Sequence, residues 1–190
     1  MAATVNGRII ILSGPSGAGK STVVRRLLAE CPLPLILSVS ATTRAPRPGE
    51  RHGEDYYFLT HDEFARRRAA GEFLECKEVF GRGDWYGTLR SVVTTGLADG
   101  KWVILEIDVE GARSILAEFP QAVTIFLDPG SAAELERRLR GRGTDSEEAV
   151  QRRLEVAQRE FSSIAIYRHR VVNDQPENAV RTICDILQNS

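Results

Sequence analysis

Short apolar runs alternate with longer amphipathic stretches along most of this chain. The runs are rich in β-branched residues, as buried strands are, and they cover residues 8–13, 35–40, 102–107, 122–127 and 170–172. Between them, apolar residues recur at helical spacing, which predicts helices over residues 20–30, 62–70, 89–99, 110–118, 132–140, 146–167 and 177–188. Strands that alternate with helices predict an α/β fold with a five-stranded parallel sheet covered on both faces. Ligands of such a sheet bind at the carboxyl ends of its strands.

The alternation is interrupted between residues 41 and 89. Polar loops, one short helix and strand-like pieces around residues 56–58 and 73–79 follow one another there. We interpret this region as an insertion on the sheet that moves as a unit. A second irregular stretch, residues 141–145, lies between two arginine-bearing helices and resembles a mobile lid. Helix starts with a Ser/Thr-x-x-Glu capping box are predicted at Thr60 with Glu63, Ser131 with Glu134, and Thr144 with Glu147.

Composition and charge favour a soluble globular protein and disfavour nucleic-acid-binding and membrane proteins. The 190 residues are 42% hydrophobic and 27% charged, which favours one soluble globular domain with a sizeable core. A net charge of −1 gives no global field to recruit nucleic acid or an anionic membrane. There is no apolar run of membrane-spanning length and no signal-peptide pattern, so we expect a cytoplasmic protein. Cys31, Cys76 and Cys184 match no zinc or redox spacing, which favours a reducing compartment.

Residues 14–21 read Gly-Pro-Ser-Gly-Ala-Gly-Lys-Ser, a complete G-x-x-x-x-G-K-[ST] phosphate-binding loop. The loop follows a predicted strand and precedes a predicted helix, which is the context in which this motif binds phosphate. Glycines let backbone N–H groups point at phosphate oxygens, and the helix N-terminus adds a favourable dipole. Lys20 then suits the β- and γ-phosphates, and the Ser21 hydroxyl suits Mg²⁺. This context disfavours the alternative, a glycine turn with an incidental lysine.

Two arginine clusters accompany the phosphate loop. Arg44 and Arg47 lie on a proline-containing loop shortly before Tyr56, and such a set would bind a second, smaller phosphate. The other cluster lies at the predicted lid, where arginines would stabilise a transferring phosphate and closure would exclude water. Its members are Arg137, Arg138, Arg140, Arg142, Arg152 and Arg153. The alternative for both clusters is a solvated surface, with some lid arginines paired to neighbouring glutamates.

Several strings, in order along nearly the whole chain, resemble the guanylate kinase family. The most specific is Ser-Val-Ser-Ala-Thr-Thr-Arg-Ala-Pro-Arg-Pro-Gly-Glu, residues 38–50. The others are the phosphate loop and residues 55–58, 71–75, 85–88, 105–112, 140–144 and 172–174. The chain departs from the family pattern in a slightly longer connection over residues 79–86, which bears on the aim of Tyr86. It also has Glu106 at a strand end where some members have Asp.

This resemblance implies an enzyme that uses Mg²⁺ to transfer the γ-phosphate of ATP to GMP in purine nucleotide metabolism, with dGMP a further candidate acceptor. It implies the P-loop NTPase type of fold in one domain, with a core (1–40, 90–137 and 155–190), a GMP-binding insertion (41–89) and a short lid (138–154). ATP would bind Gly14, Pro15, Ser16, Gly17, Ala18, Gly19, Lys20, Ser21, Thr22 and Asn173. GMP would bind Ser40, Arg44, Arg47, Glu50, Tyr56, Glu75, Tyr86, Thr88 and Asp108. The catalytic cations would be Lys20, Arg44, Arg138, Arg142 and Arg153, with Ser21 and, as a second candidate, Glu106 at the metal.

The residue types suit guanine. Hydroxyls such as those of Ser40 and Thr88 can donate to guanine O6 and N7, and a carboxylate such as that of Glu75 can accept from N1–H and the exocyclic amine. AMP lacks the N1 donor, and mispaired polar groups of this sort give preferences on the order of 10⁴-fold.

Other function classes stay open at this point. One is a non-catalytic guanylate-kinase-like module that binds a phosphorylated peptide, and another is a phosphate-loop kinase for a different acceptor, such as a sugar bisphosphate. A GTPase is disfavoured because the chain has no Asn-Lys-x-Asp motif. The sequence is compatible with a monomer or a homodimer.

Overall fold

This computed structural model describes residues 7–79, 83–141 and 146–190. Its strands are β1 (Arg8–Ser13), β2 (Leu35–Leu37), β3 (Ala41–Thr42), β4 (Tyr57–Phe58), β5 (Phe73–Val79), β6 (Asp84–Leu89), β7 (Trp102–Glu106), β8 (Val123–Asp128) and β9 (His169–Val172). Its helices are α1 (Lys20–Glu30), α2 (His61–Ala69), α3 (Arg90–Ala98), α4 (Val109–Glu118), α5 (Ala132–Arg140), α6 (Glu147–Ser162) and α7 (Pro176–Gln188), with a 3₁₀ turn at Ile164–Ile166. Among the described residues, no helix combines the length and the apolar character that crossing a bilayer requires.

The central sheet is parallel and has five strands in the order β2-β7-β1-β8-β9. Successive side chains of a strand point to opposite faces, so β1 contributes side chains to the hydrophobic core on each face of the sheet. Ile10 and Leu12 pack with side chains of α1 and α7, whereas Ile9 and Ile11 pack with side chains of α3 and α4. All four are buried, and burial of such a side chain contributes about 1.5–3 kcal/mol to folding. The predicted α/β architecture is confirmed.

A second, four-stranded sheet with the order β4-β3-β6-β5 forms from the interrupting region. Its β6 pairs antiparallel with both β3 and β5. Its own small core includes Phe64 of α2 and Phe73 of β5, whose rings stack with centroids 4.4 Å apart. The sequence predicted the pieces at β4 and β5 but missed β3 and β6. A two-residue strand has no periodicity to detect, and β6 mixes polar and apolar residues.

Several predicted boundaries were wrong. The helix predicted over residues 146–167 ends at Ser162 and continues as the 3₁₀ turn. The strand predicted over 35–40 ends at Leu37, because the chain then turns away to enter the second sheet. The predicted N-caps Thr60 and Ser131 are confirmed, with each hydroxyl accepting the N–H of the predicted glutamate at 3.1 Å. The carboxylates of these glutamates accept from arginines one turn further on, so the reciprocal half of the capping box is not formed. Thr144 lies outside the described residues, and Ser146 caps α6 instead, accepting from Ala149 N–H.

The structure pairs two of the three cysteines, which the sequence analysis did not predict. Cys31, directly after α1, and Cys184 of α7 form a disulfide with their Cα atoms 5.8 Å apart. They are separated by 153 residues along the chain, so no local spacing signals the pair. The packing of α7 against α1 brings them together. Cys76 is a free thiol.

Candidate active site

The phosphate loop connects β1 to α1 at the carboxyl end of the central sheet. Its backbone needs glycine: Gly14 has φ +145°, and a Cβ there would lie 2.2 Å from the carbonyl oxygen of Leu127. No side chain caps the N-terminus of α1, which begins after Gly19 in the left-handed region. The first N–H groups of the helix are therefore available to an anion. Lys20 curls over the loop, its Nζ donating to the carbonyl oxygens of Gly14 at 2.6 Å and Pro15 at 3.3 Å.

A hydroxyl and a carboxylate meet beside this loop. Ser21, in the first turn of α1, donates from Oγ to Oε1 of Glu106 at 3.0 Å. Glu106 ends β7, which neighbours β1 in the sheet, so the sheet order itself brings the two residues together. Hydroxyl and carboxylate oxygens are the hard ligands that Mg²⁺ prefers. Both predicted metal residues therefore lie at one place and fit a divalent cation.

Asn173 and Arg138 lie together against the phosphate loop. Asn173 follows β9 and is 3% exposed, and its Nδ2 donates to the carbonyl oxygen of Ala18 at 2.6 Å. A Cβ on Gly19 would lie 2.5 Å from that amide nitrogen, so glycine makes room for the contact. Arg138 of α5 donates from Nη2 to the Asn173 carbonyl oxygen at 2.8 Å and from Nε to Glu134 at 2.7 Å. In this arrangement both side chains support the loop.

Several lid arginines form ion pairs with neighbouring glutamates, and Arg152 pairs with Glu148 at 3.6 Å. Arg137 and Arg138 hold the pKa of Glu134 down to about 2. Arg140 pairs with Glu136 at 2.8 Å and with Glu147 at 2.5 Å, as the alternative interpretation of the cluster expected. Arg142 lies outside the described residues.

Arg44 forms the centre of a second polar cluster. Its guanidinium donates to both oxygens of Glu50, at 3.0 and 2.9 Å, and from Nε to the Tyr86 hydroxyl at 3.1 Å. It also lies 5.4 Å from the ring centroid of Tyr56. The hydrogen bonds from Arg44 lower the pKa of Glu50, which also accepts the backbone N–H of Arg47. Five residues predicted to bind GMP are thus in one network.

This cluster faces α6 across a cavity of about 390 Å³. Arg44, Arg47 and Tyr86 line one wall, and Arg152, Arg153 and Arg159 line the other. A cleft with guanidinium groups on both sides suits a phosphate-bearing ligand. Sequence reasoning missed Arg159, although its spacing of seven from Arg152 places the two on one helix face. A larger cavity of about 1110 Å³ lies at the amino ends of β1 and β8 and shares no lining residue with the predicted site.

Glu75 and Thr88 pair across β5 and β6. The Thr88 hydroxyl donates to Oε1 of Glu75 at 2.6 Å, and burial raises the pKa of the Glu75 carboxyl. Asp108 caps α4 by accepting the Gly111 N–H at 2.8 Å. A Cβ on Gly111 would lie 3.1 Å from Oε2 of Glu75 and 3.4 Å from Oδ1 of Asp108, so the two carboxylates flank the same glycine. Ser40 is half-buried on the loop between β2 and β3.

Comparison with known proteins decides the family. The family model described as guanylate kinase matches residues 6–190. The chain belongs to the guanylate kinase family. A guanylate kinase of Rhodopirellula baltica is 58% identical over 182 residues, covering 95% of this chain and 87% of the relative. One of Trichormus variabilis is 50% identical over 178 residues, covering 94% and 88%.

A solved guanylate kinase has the same fold. The crystal structure from Anaplasma phagocytophilum matches with a TM-score of 0.78 at 35% identity, covering 97% of this chain and 86% of that one. Sequence reasoning missed one further residue at the candidate site, Lys77 of β5, whose Nζ donates to Asp108. Its only sequence signal is strand alternation, which places it on the same face as Glu75.

Proposed function

We propose that this guanylate kinase family member transfers the γ-phosphate of ATP to GMP, giving ADP and GDP, with the residues described above. Family membership and 58% identity to a guanylate kinase support this activity. The chain is therefore an enzyme, an ATP:GMP phosphotransferase. The assignment of residues rests on one observation: the chain has both an intact phosphate loop and the Glu75–Thr88 pair on β5 and β6.

The donor nucleotide binds at the phosphate loop. Backbone N–H groups of residues 14 and 16–22, which include the N-terminus of α1, surround the β- and γ-phosphates. Lys20 exchanges its two carbonyl partners for phosphate oxygens, because a charge-assisted hydrogen bond to an anion is the stronger one. Asn173 and Arg138, held on the loop, border the side where the adenine lies.

Ser21 and Glu106 would hold Mg²⁺, which neutralises phosphate charge when bound. Glu106 holds the Ser21 hydroxyl in place through the 3.0 Å hydrogen bond. That contact orients an oxygen ligand beside the loop before the nucleotide arrives.

The acceptor nucleotide binds between the two sheets. Arg44, Arg47, Tyr56 and Tyr86 bind the phosphate of GMP, with Glu50 holding the Arg44 guanidinium in a bidentate pair. Glu75 and the neighbouring Asp108 accept from the two guanine donors. Ser40 donates to the acceptors of the base, and Thr88 does so when its hydroxyl turns from Glu75 to the base. A base without the N1 donor, such as the adenine of AMP, would leave a carboxylate facing an acceptor, and this disfavours the binding of AMP.

Catalysis consists of alignment and charge stabilisation, because phosphoryl transfer needs no covalent nucleophile from the protein. We propose that the insertion (41–89) and the lid (138–154) close on the core (1–40, 90–137 and 155–190) as parts of one domain. Closure moves the cleft arginines, Arg153 among them, toward the transferring phosphate and excludes water. Arg142 is assigned to the same task by the resemblance alone. We further propose a cytoplasmic enzyme, monomeric or homodimeric, that needs neither nucleic acid nor a membrane.

The non-catalytic module has no support in the comparisons, and its ligand would have no use for an intact phosphate loop. A kinase for a sugar bisphosphate would gain nothing from Glu75 placed against Thr88.

The test is ADP formation from ATP and Mg²⁺ with GMP, dGMP, AMP, UMP and CMP in separate reactions. We expect turnover with GMP and dGMP alone, and loss of turnover in Lys20→Ala with the melting temperature within a few degrees of the parent, because Lys20 contacts only loop carbonyls among its described partners. Turnover with another acceptor but not GMP would refute the assignment. Near-normal kcat in Lys20→Ala would refute the use of the loop.

A further inference from the structure

Lys77 joins the second sheet to the central sheet's helices beside the proposed base site. It lies in β5 two residues beyond Glu75, on the same face of the strand. Its Nζ donates to Oδ2 of Asp108 at 3.1 Å and pairs with Oε2 of Glu110 at 2.5 Å. Both carboxylates belong to the N-terminus of α4. The ammonium therefore ties a strand of the insertion to a helix of the core.

The contact fixes the orientation of Asp108. Oδ1 of Asp108 accepts the Gly111 N–H at 2.8 Å, and Oδ2 accepts from Lys77. With one oxygen on the helix cap and the other on the ammonium, the carboxylate cannot rotate freely. Its remaining lone pairs keep a fixed direction next to Glu75, because each carboxylate oxygen can accept more than one hydrogen bond.

Charge gives Lys77 a second effect on this site. Asp108 raises the pKa of Glu75 and Lys77 lowers it, while burial is the largest cause of the upward shift. The groups that face Glu75 are Thr88 from β6, Asp108 from α4 and Lys77 from its own strand. Glu160 of α6 interacts in turn with Asp108 and Lys77. Without the ammonium, the acidic groups would be left to repel one another.

The chemistry that matches two neighbouring carboxylates is a base edge with two neighbouring donors. Guanine has such an edge, in N1–H and the exocyclic amine, whereas hypoxanthine keeps N1–H and lacks the amine. A residue that fixes the second carboxylate should therefore matter more for guanine than for hypoxanthine.

We propose that Lys77 is a positioning residue for guanine recognition, which holds Asp108 beside Glu75 so that the two carboxylates accept from the two donors of the base. The inference rests on the proposed function, in which Glu75 and Asp108 meet the base.

The test is calorimetric titration of GMP and IMP into the wild-type chain, Lys77→Met, Lys77→Arg and Lys101→Met. Lys101 precedes β7 at the opposite end of the sheet and serves as the matched loss of one positive charge. We expect Lys77→Met to weaken GMP binding about tenfold and IMP binding about twofold or less, in the range that the net loss of one hydrogen bond gives. Lys77→Arg should recover most of the preference, and Lys101→Met should keep it. ATP binding should stay unchanged throughout.

An equal loss for GMP and IMP in Lys77→Met would overturn the inference, since a merely structural contact moves both alike. Unchanged binding of both would overturn it as well, and in either case GMP binding by the wild type would leave the proposed function intact. A wild-type chain that binds neither nucleotide would overturn both. As a second readout, the loss of GMP affinity on acidification should begin at higher pH in Lys77→Met, because Lys77 lowers the pKa of Glu75.

Discussion

At the scale of single residues, Glu75 shows a conflict between the stability of the fold and the recognition of a ligand. Burial raises its pKa, so the folded chain binds this proton more tightly than the unfolded chain does. The stabilising effect of the protonated form is complete below the ordinary pKa and is lost as the pH rises through the folded value. Above the folded pKa the ionised carboxyl therefore costs stability, whereas the proposed recognition of guanine requires its negative oxygens. A group with this sign of shift is expected where binding, and not folding, selects the residue.

We expect Glu75→Gln to separate the two effects. The amide oxygen of Gln can still accept the Thr88 hydroxyl, so the melting temperature at pH 7 should stay the same or rise. The value of kcat/KM for GMP should fall by about 10²-fold or more, because the amide places a donor against the donors of the base. Scanning calorimetry and steady-state kinetics on one preparation check both. A large fall in the melting temperature, or an unchanged kcat/KM, would contradict this account.

The candidate site was largely predictable from residue types, except where a residue's effect depends on its tertiary neighbours. Lys20, Ser21 and Arg44 were marked by motifs whose local spacing carries the chemistry. Lys77 and Arg159 were not, because their effect depends on which other element lies opposite them. Arg138 shows a further limit: its type suits a phosphate, yet the described geometry holds it on the Asn173 carbonyl.

At the scale of elements, the contact between β5 and α4 depends on the absence of a side chain at Gly111 of α4. A Cβ on Gly111 would lie 3.1 Å from Oε2 of Glu75, closer than most such contacts. We expect Gly111→Ala to displace the carboxylate and raise KM for GMP several-fold. Helical alanine is favoured over glycine by about 0.5–1 kcal/mol, so the melting temperature should not fall by more than a few degrees. Ser114→Ala, on an exposed position of the same helix, is the matched control. Equal KM values in the two variants would rule out this role for Gly111.

The elements themselves show where sequence patterns are sufficient. The three inner strands of the central sheet, β1, β7 and β8, are buried on both faces and read as apolar runs. The helices α1 and α5 were predicted to the residue. By contrast, β3 becomes a strand by pairing with β6, and β6 by pairing with β3 and β5. These partners lie elsewhere in the sequence, so the local pattern of residues does not reveal the strands. The boundary of α6 likewise depends on the turn that packs Ile164 and Ile166 under the sheet.

At the scale of the whole molecule, the Cys31–Cys184 disulfide joins the end of α1 to α7. The two cysteines are 153 residues apart, and the loop between them contains every strand of the two sheets except β1. In the chain-entropy model, closing so long a loop in the unfolded state stabilises the fold by up to about 5 kcal/mol. A difference of this size corresponds to a change in melting temperature on the order of 10 °C. The pair also holds the helix that follows the phosphate loop against the last helix of the chain.

We therefore expect the melting temperature to fall when a phosphine reductant is added to the wild-type chain. Cys184→Ala should show the lower value with or without reductant, because the pair is already absent, whereas Cys76→Ala should keep the full difference, since Cys76 is outside the pair. Thiol titration of the unfolded protein supplies the count: one free thiol before reduction and three after it. Three thiols in the untreated protein, together with a melting temperature that ignores reductant, would show that the two cysteines merely pack against each other. The fold would then have no covalent link between α1 and α7, and Cys184→Ala should cost no more than the loss of one small, partly buried side chain.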